Sequence, residues 1–367
     1  MSLFSDLNSI YSIKQEIKSA IESKGVDMTN VSFPDYPAAI ASISGGTGYT
    51  EKDITEKNFS LTNISNSASY VASTAFKNNA DIVTVNLPDC INVYEEAFYS
   101  CSNLTTVNLP ECVTISNSAF CSCKNLTSIS LPKCVFLSAY VFRNCIALSE
   151  IDLPKCVTIE NNVFEGCLSL QRVNMSSAGW IGPRTFRNCI ALSEINLPYC
   201  YNIGSEAFVG CQHLSSVSVP ECTTVWDQAF FNCEALSEID LPKCTSVYYS
   251  GFAFCYSLSR ISLPVCSMIL YHAFEYTSLS ELDLPECEFI DTESTFYHTP
   301  LAKLTLRASS VCDLSGTFST GTSFTAFLFT PIASGTGSIY VPSSLVSDYQ
   351  VAYNWSQFSS QIFPIPE

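Results

Sequence analysis

Positive charge is scarce in this sequence. Lysine and arginine make up 17 of 367 residues, against 34 aspartates and glutamates, and the formal net charge is −17. Phosphate backbones and anionic lipid surfaces are bound through clusters of lysine and arginine. The charge balance therefore predicts that neither a nucleic acid nor an anionic membrane surface is a partner.

Long apolar runs are also missing. No run of 18 apolar residues occurs, and a transmembrane helix needs about 20, so we expect no membrane insertion. Residues 1–33 contain no apolar run with the length and cleavage pattern of a secretory signal. On this basis we expect the chain to start in the cytoplasm, where thiols stay reduced.

The short motifs of common enzymes and metal sites are absent as well. The sequence has no nucleophile elbow, no glycine-rich phosphate loop and no CxxC pair, and it has only three histidines. We therefore predict a protein without enzymatic activity, cofactor or metal ion.

The sequence does contain a repeat of 22 residues. A proline recurs at that spacing from Pro88 to Pro264, replaced once by Ser176, and a phenylalanine follows ten residues later in every unit. These nine phenylalanines are Phe98, Phe120, Phe142, Phe164, Phe186, Phe208, Phe230, Phe252 and Phe274. A fixed period of this length is typical of a solenoid, in which stacked units bury one another's apolar groups. The predicted fold class is an α+β repeat solenoid.

Each unit shows the same internal pattern when positions are counted from its proline. Positions +19 and +21 are apolar, as in Ile151 and Leu153, and this alternation predicts a short strand with both side chains inward. The following proline ends the strand because it donates no ladder bond. The Ala-Phe segment around +10 predicts a helical or 3₁₀ turn that places the ring in the core. Ten or so coils would give a rod of about 50 Å.

Seventeen of the 19 cysteines fall on two repeat positions, +2 and +13, and only Cys121 and Cys312 fall elsewhere. A free cysteine packs as a small apolar residue with a weak donor. Thiols on neighbouring coils point the same way, which is poor geometry for a disulfide. The pattern favours buried reduced thiols, and a disulfide framework is the alternative.

Positions +18 and +20 should point outward from the predicted strand onto the concave face, the usual binding surface of a solenoid. The charged residues at these positions are Glu150, Asp152, Arg172, Glu194, Glu238, Asp240, Arg260, Glu281 and Asp283. Because carboxylates dominate, the pattern predicts a groove for a cationic or hydroxyl-rich partner, protein or glycan. A solvated sheet face is the alternative, and a glycosidase-like carboxylate pair is a third possibility.

Four aromatic residues form a second candidate contact surface. Trp226, Tyr248, Tyr249 and Tyr271 fall at +6 and +7 of consecutive units. Tyrosine and tryptophan suit protein and sugar surfaces, and exposed apolar patches tend to mark contacts. The alternative is that these rings are partly buried filler.

The N-terminal region differs from the repeat. Residues 6–24 read as a helix in which Ile10 and Ile17 occupy one seam position and Ile13 the other, a choice that favours a homo-trimer. The alternative is a helix that packs on the solenoid. The predicted boundaries are an attachment or oligomerisation segment at 1–44, a glycine-rich linker at 45–48, the solenoid at 49–330 and a C-terminal cap at 331–367.

The repeat resembles the bacterial BspA-type, or treponemal-type, leucine-rich repeat, with LPxCxxIxxxAFxxCxxLxxI in each coil from about Asn66 to Leu306. This resemblance implies a leucine-rich repeat rod and a non-enzymatic role in binding and adhesion. Residues 13–43 resemble a segment found at the N-termini of phage and prophage tail or appendage proteins.

The two resemblances lead to one functional hypothesis and an alternative. The first is a virion appendage, assembled in the host cytoplasm, that contacts a host surface or a neighbouring virion protein. The alternative is a secreted BspA-type adhesin of the bacterial cell surface that binds host matrix protein or glycan.

Overall fold

The computed structural model describes residues 63–65, 68–316 and 325–366. The predicted trimer seam of Ile10, Ile13 and Ile17 and the predicted linker at 45–48 lie outside these residues. Within them the chain winds as a solenoid of parallel strands, and each coil contributes one strand to each of two sides.

The first side of the rod carries strands of three or four residues. They are β1 (Asn63–Ser65), β3 (Thr84–Asn86), β5 (Thr106–Asn108), β7 (Ser128–Ser130), β9 (Glu150–Asp152), β11 (Arg172–Asn174), β13 (Glu194–Asn196), β15 (Ser216–Ser218), β17 (Glu238–Asp240), β19 (Arg260–Ser262), β21 (Glu281–Leu284) and β23 (Lys303–Leu306). We call this side the concave face.

The second side carries strands of two or three residues. They are β2 (Tyr70–Val71), β4 (Asn92–Val93), β6 (Thr114–Ile115), β8 (Phe136–Leu137), β10 (Thr158–Ile159), β12 (Trp180–Ile181), β14 (Asn202–Ile203), β16 (Thr224–Val225), β18 (Ser246–Val247), β20 (Met268–Ile269), β22 (Phe289–Asp291) and β24 (Asp313–Ser315). These strands form one 12-stranded parallel sheet, so the described residues contain two coils more than the estimate of about ten.

The register between coils follows the sequence repeat. Val107 pairs with Ile129 on the concave face, and Val225 pairs with Val247 on the second side, both at a spacing of 22 residues. The spacing falls to 21 where Met268 pairs with Phe289, because one residue is missing from the unit that begins at Pro264. The concave face is divided into hydrogen-bonded groups of six, two, two and four strands, the last including two strands of the C-terminal cap.

A third side of the coil is made of consecutive turns. Alternate amides donate forward to the next coil, as from Phe98 to Ala119 O at 2.8 Å, and the amides between them close turns, as from Cys101 to Phe98 O at 3.1 Å. Amides at the strands donate backward instead, as from Thr105 to Val83 O at 2.8 Å. The predicted helical or 3₁₀ turn does not form, because each local hydrogen bond closes a separate turn and the amides between them donate to the next coil instead of continuing a helix.

Helices are rare in the described residues. They are one α-helix, α1 (Val346–Val351), and two 3₁₀ helices (Ser343–Leu345 and Ser356–Gln361). The α+β class is thus not supported, and the described fold is a parallel β-solenoid.

The repeated phenylalanines form the core, as predicted. Their rings stack from Phe76 through Phe296 to Phe327, with centroid separations between 5.1 and 5.8 Å. The nine rings named above are fully buried. Stacked aromatic pairs contribute about 0.5–1.5 kcal/mol each beyond the burial of their area. Each coil is therefore stabilised by both of its neighbours.

The cysteines are buried and free of disulfides among the residues described. Each +13 thiol donates to the phenylalanine carbonyl of the preceding coil, as from Cys123 to Phe98 O at 3.0 Å. Each +2 thiol donates to a carbonyl two residues later, as from Cys222 to Thr224 O at 3.3 Å. We call these two sets the inner thiols and the corner thiols.

The C-terminal residues cover the last coil. Strand β25 (Ser338–Val341) pairs in parallel with β23, and β26 (Ile362–Pro364) pairs with β25. The indole of Trp355 donates to Cys312 O at 2.7 Å, and the Tyr349 hydroxyl accepts the Cys312 amide at 2.8 Å. Both rings are fully buried, so the cap satisfies backbone groups that the end of the sheet would leave open.

Candidate functional site

The concave face presents a regular array of exposed side chains. In strand after strand the central residue points into the core and its two neighbours are exposed, as in β5 and β17. The outward residues are threonine, serine and asparagine in the first coils, and from β9 onward every strand except β15 carries at least one charged residue. The structure therefore brings the nine predicted charged residues to one face of the rod.

Charge alternates along this face, which the sequence reading did not foresee. Carboxylates lie on β9, β13, β17 and β21, cations lie on β11, β19 and β23, and β15 between β13 and β17 is uncharged. Arg172 contacts Glu150 at 2.7 Å, and Arg260 contacts Glu238 across neighbouring strands. We call this array, from Glu150 to Arg307, the alternating charge ladder.

The same pairing continues at the C-terminal end. Arg307 makes a two-pronged contact with Asp283, with Nη2 at 2.9 Å from Oδ2 and Nε at 3.0 Å from Oδ1. Lys303 lies 3.8 Å from Glu281. The Asp283 carboxylate raises the pKa of the Arg307 guanidinium through this hydrogen bond and its charge.

The pairing changes the predicted character of the groove. Asp152 accepts a hydrogen bond from the Asn174 amide at 2.6 Å. Of the predicted carboxylates, Asp152, Glu194 and Asp240 have no ion-pair partner in the described residues. The cationic part of the predicted preference for a cationic or hydroxyl-rich partner is therefore weakened, because an incoming cation would compete with arginine or lysine at four of the seven carboxylates.

A shallow cleft lies at the C-terminal end of the ladder. It has a volume of about 510 Å³ and is lined by side chains of β17, β19, β21 and β23. Glu238, Arg260, Asp283 and Arg307 all border it. Because these ion pairs are largely exposed, each contributes only about 0–1 kcal/mol to stability. The charges are therefore available to a partner at little cost to the fold.

The predicted aromatic patch is divided into two stacks of half-buried rings. Trp226 and Tyr248 have centroids 4.6 Å apart, and Tyr249 and Tyr271 lie 5.0 Å apart with nearly parallel planes. Desolvation and then the charge of Asp227 raise the pKa of both Tyr249 and Tyr271. These rings follow the short strands of the second sheet, so they are separate from the concave face.

A third set of aromatic residues was missed by the sequence reading. Phe254, Tyr276, His298 and Phe329 occupy equivalent positions in four consecutive coils, and their rings stack along the rod. We call them the turn-edge ladder. The available signal was the position two residues after each core phenylalanine, where asparagine, glycine and serine give way to aromatic residues in the last coils.

The thiols have no features of a reactive site. Burial raises the pKa of Cys90 and Cys101 to about 12, so they are protonated at neutral pH. No group of three or more His, Cys, Asp or Glu side chains among the described residues is arranged to hold a metal ion. No helix in that part of the chain is long and apolar enough to cross a membrane.

Comparison with solved structures shows the same architecture. A leucine-rich repeat protein from Bacteroides ovatus is 18% identical, with 83% of each chain covered and a TM-score of 0.55. A leucine-rich cell-surface protein from Faecalibacterium prausnitzii is 19% identical over 69% of this chain and 84% of its own, with a TM-score of 0.42. A leucine-rich repeat protein from T. pallidum is 29% identical over 48% of this chain and 78% of its own, with a TM-score of 0.36.

Sequence comparison identifies the family. No curated protein matches the chain significantly. The comparisons give no support to the resemblance between residues 13–43 and phage tail proteins. The family model for the BspA type leucine-rich repeat region, in six copies, matches residues 54–171, 113–224 and 179–303, which together exceed half of the chain. The protein belongs to the BspA-type leucine-rich repeat family.

Proposed function

We propose that the protein is a non-enzymatic, adhesin-type binding protein of the bacterial cell surface. Its partner is a protein that docks on the concave face through the alternating charge ladder. This is the function named above as the alternative, and family membership favours it over a virion appendage. The observation that carries the proposal is the row of exposed charges of both signs from Glu150 to Arg307.

The shape of the ladder suits a partner surface of mixed charge. Neighbouring strands lie about 4.8 Å apart, so the sign of the charge changes over distances typical of side chains on a protein surface. A polyanion such as a sulfated glycan would meet the carboxylates of β9, β17 and β21. Electrostatic complementarity of this kind fixes orientation and accelerates association more than it adds affinity.

The rigidity of the face also supports binding. The strands are held by backbone ladders, and most charged side chains are already fixed by a neighbour, as Arg172 is by Glu150. Preorganised side chains lose less conformational entropy when a partner binds. A protein interface of standard size needs about 800 Å² per partner, which the exposed concave surface of twelve coils is long enough to supply.

The test uses charge reversal on the ladder and at a matched pair elsewhere. Variants Arg172→Glu and Arg260→Glu are compared with Lys133→Glu, whose Glu111 partner lies 2.6 Å away and which is also exposed. Each variant is displayed on bacteria. The adhesion of these bacteria to host cells and to matrix proteins is then measured at a series of salt concentrations. We expect adhesion to fall about tenfold for the ladder variants and to be unchanged for Lys133→Glu. Equal adhesion by all variants would refute the concave-face proposal.

A virion appendage is the second proposal, and it rests on the resemblance of residues 13–43 to tail proteins. Fractionation distinguishes the two. An adhesin is recovered with the cell envelope or the medium, whereas an appendage copurifies with particles and is visible on them by electron microscopy.

A further inference from the structure

The turn-edge ladder is a second surface with features of a binding site. Centroids of Phe254 and Tyr276 lie 5.1 Å apart, those of Tyr276 and His298 4.8 Å, and those of His298 and Phe329 4.4 Å. The planes of successive rings differ by 13° to 17°. The ladder therefore forms a straight row of rings along the rod, one for each coil.

Further aromatic residues flank the row. Tyr256 packs edge-on against Phe254, and Tyr297 packs edge-on against His298 and Phe329. The surface is exposed, since 49% of Tyr256 and 61% of Phe329 are accessible to solvent. Monomeric proteins rarely expose contiguous apolar patches unless these serve as contact sites.

The four residues of the turn-edge ladder are unusual choices for the backbone conformation that they adopt. All four ladder residues have a positive φ, between 54° and 64°. Eight preceding coils fill the equivalent position with small polar residues or glycine, namely Asn78, Ser100, Ser122, Asn144, Gly166, Asn188, Gly210 and Asn232. A bulky residue held there costs roughly 1–2 kcal/mol. Folding alone would be served better by asparagine or glycine.

The polar parts of this surface are available to a partner. Among the described residues, the hydroxyls of Tyr256, Tyr276 and Tyr297 have no hydrogen-bond partner. No lysine or arginine in that part of the chain lies over a ring of the ladder. Desolvation, Tyr297 and the Glu275 carboxylate raise the pKa of Tyr276, and Glu275 itself is paired with His272 Nδ1 at 2.7 Å. The surface is therefore suited to a neutral or cationic ligand with exposed acceptors.

A polyproline II helix has this chemistry and a matching repeat. It has no internal hydrogen bonds, so its carbonyls can accept from tyrosine hydroxyls, and aromatic surfaces commonly dock it. Its turn of three residues advances about 9.3 Å, and two coils of this solenoid advance about 9.6 Å. Lysine or arginine in such a segment would complement the net charge of −17.

We propose that the turn-edge ladder docks a proline-rich segment of a protein partner that also carries lysine or arginine. The tyrosine hydroxyls bind its carbonyls, and the ring edges contact its pyrrolidine rings. This surface is separate from the concave face, so the two proposals stand or fall independently.

The test measures binding of a fluorescent peptide of repeated Pro-Pro-Arg units by anisotropy. Its control is a peptide of equal length and charge in which glycine replaces proline. The key variants are Tyr276→Asn and His298→Asn, which restore the residue used at Asn188 and Asn232. We expect each to weaken binding at least about tenfold. Because asparagine tolerates the positive φ, their thermal stability should be no lower than that of the unmodified protein.

Further variants separate a binding role from a structural one. Tyr297→Phe removes one hydroxyl and leaves the ring, and it should weaken binding several-fold with unchanged stability. Lys133→Gln, at an exposed position outside both surfaces, should bind the peptide as the unmodified protein does. Equal binding of the two peptides would overturn the proposal. So would undiminished peptide binding by Tyr276→Asn, or preferential binding of neutral oligosaccharides that the ladder variants abolish.

Discussion

Cys233 provides a sharp test of the inner thiols. Its thiol lies 3.2 Å from Phe208 O on the preceding coil. The chain fills the same position with threonine in later coils, where the Thr299 hydroxyl donates to Phe274 O at 2.6 Å. A hydroxyl can therefore replace the thiol at this place in the fold.

The matched variants are Cys233→Thr and Cys233→Val, which have nearly the same shape and differ in one donor. Phe208 O already accepts the Cys211 amide at 3.1 Å, so the side chain supplies its second hydrogen bond. The net value of such a bond is about 0.5–1.5 kcal/mol. We expect threonine to be within about 1 kcal/mol of cysteine, and valine to be about 1 kcal/mol less stable than threonine.

The assay is urea unfolding followed by circular dichroism, with thermal melting as a second measurement. A difference of 1 kcal/mol corresponds to about 2–4 °C in Tm for a chain of 150–250 residues, and to less for a longer one. The opposite order, with valine as stable as threonine or more so, would refute the hydrogen-bond role. It would leave apolar packing as the sole reason for cysteine at this position.

Three further predictions follow from the core and the cap. Phe208→Ala should lower the free energy of unfolding by about 3–5 kcal/mol, and Phe208→Leu by clearly less, because leucine fills most of the space; urea unfolding checks the order. Trp355→Phe should cost about 1–3 kcal/mol, since Cys312 O loses a buried donor, and hydrogen exchange should rise first in β24. The pKa of thiols such as Cys90 is raised from 9.0 to about 12 in the folded state, so the unfolded chain loses those protons first. The contribution of these buried thiols to the free energy of unfolding should be fully present below pH 9 and should be lost between about pH 9 and 12. Thermal melting at a series of pH values tests this, and a Tm that does not change over this range would contradict it.

The core was predictable because its residues repeat with the coil. Phe208 and Leu214 recur at fixed positions, and a residue that recurs in every unit of a solenoid must have the same environment each time. The inward direction of the strand residue Ile239 followed from alternation alone. The family resemblance also rested on these positions.

The turn segment was not predictable in the same way. Ala119-Phe120 looks helical locally, and its true conformation depends on amides that donate to a neighbouring coil. The positive φ at Phe254 contradicts the conformational preference of phenylalanine and is imposed by the hydrogen bonds between coils. Local sequence favours the wrong conformation wherever hydrogen bonds between coils decide the structure.

The charge pairing on the concave face was accessible in principle but required the register. Glu150 and Arg172 are 22 residues apart, which is one coil, so a reading across units would have placed them side by side. Within single units, the outward positions show more carboxylates than cations, and the pairing between units is not visible. Arg307 was missed for a different reason, since it lies just beyond the last strand of the repeat and pairs with Asp283 at a spacing of 24.

The buried thiols have a consequence for how the protein folds. Nineteen cysteines are concealed only once the coils have stacked, and every one of them is open to oxidants in the unfolded chain. Stacking therefore has to be completed before an oxidising environment is encountered, since a cross-link formed earlier between cysteines of distant coils would block the native stacking. Once wound, the rod needs no disulfide and presents no thiol for a reductant or oxidant to attack.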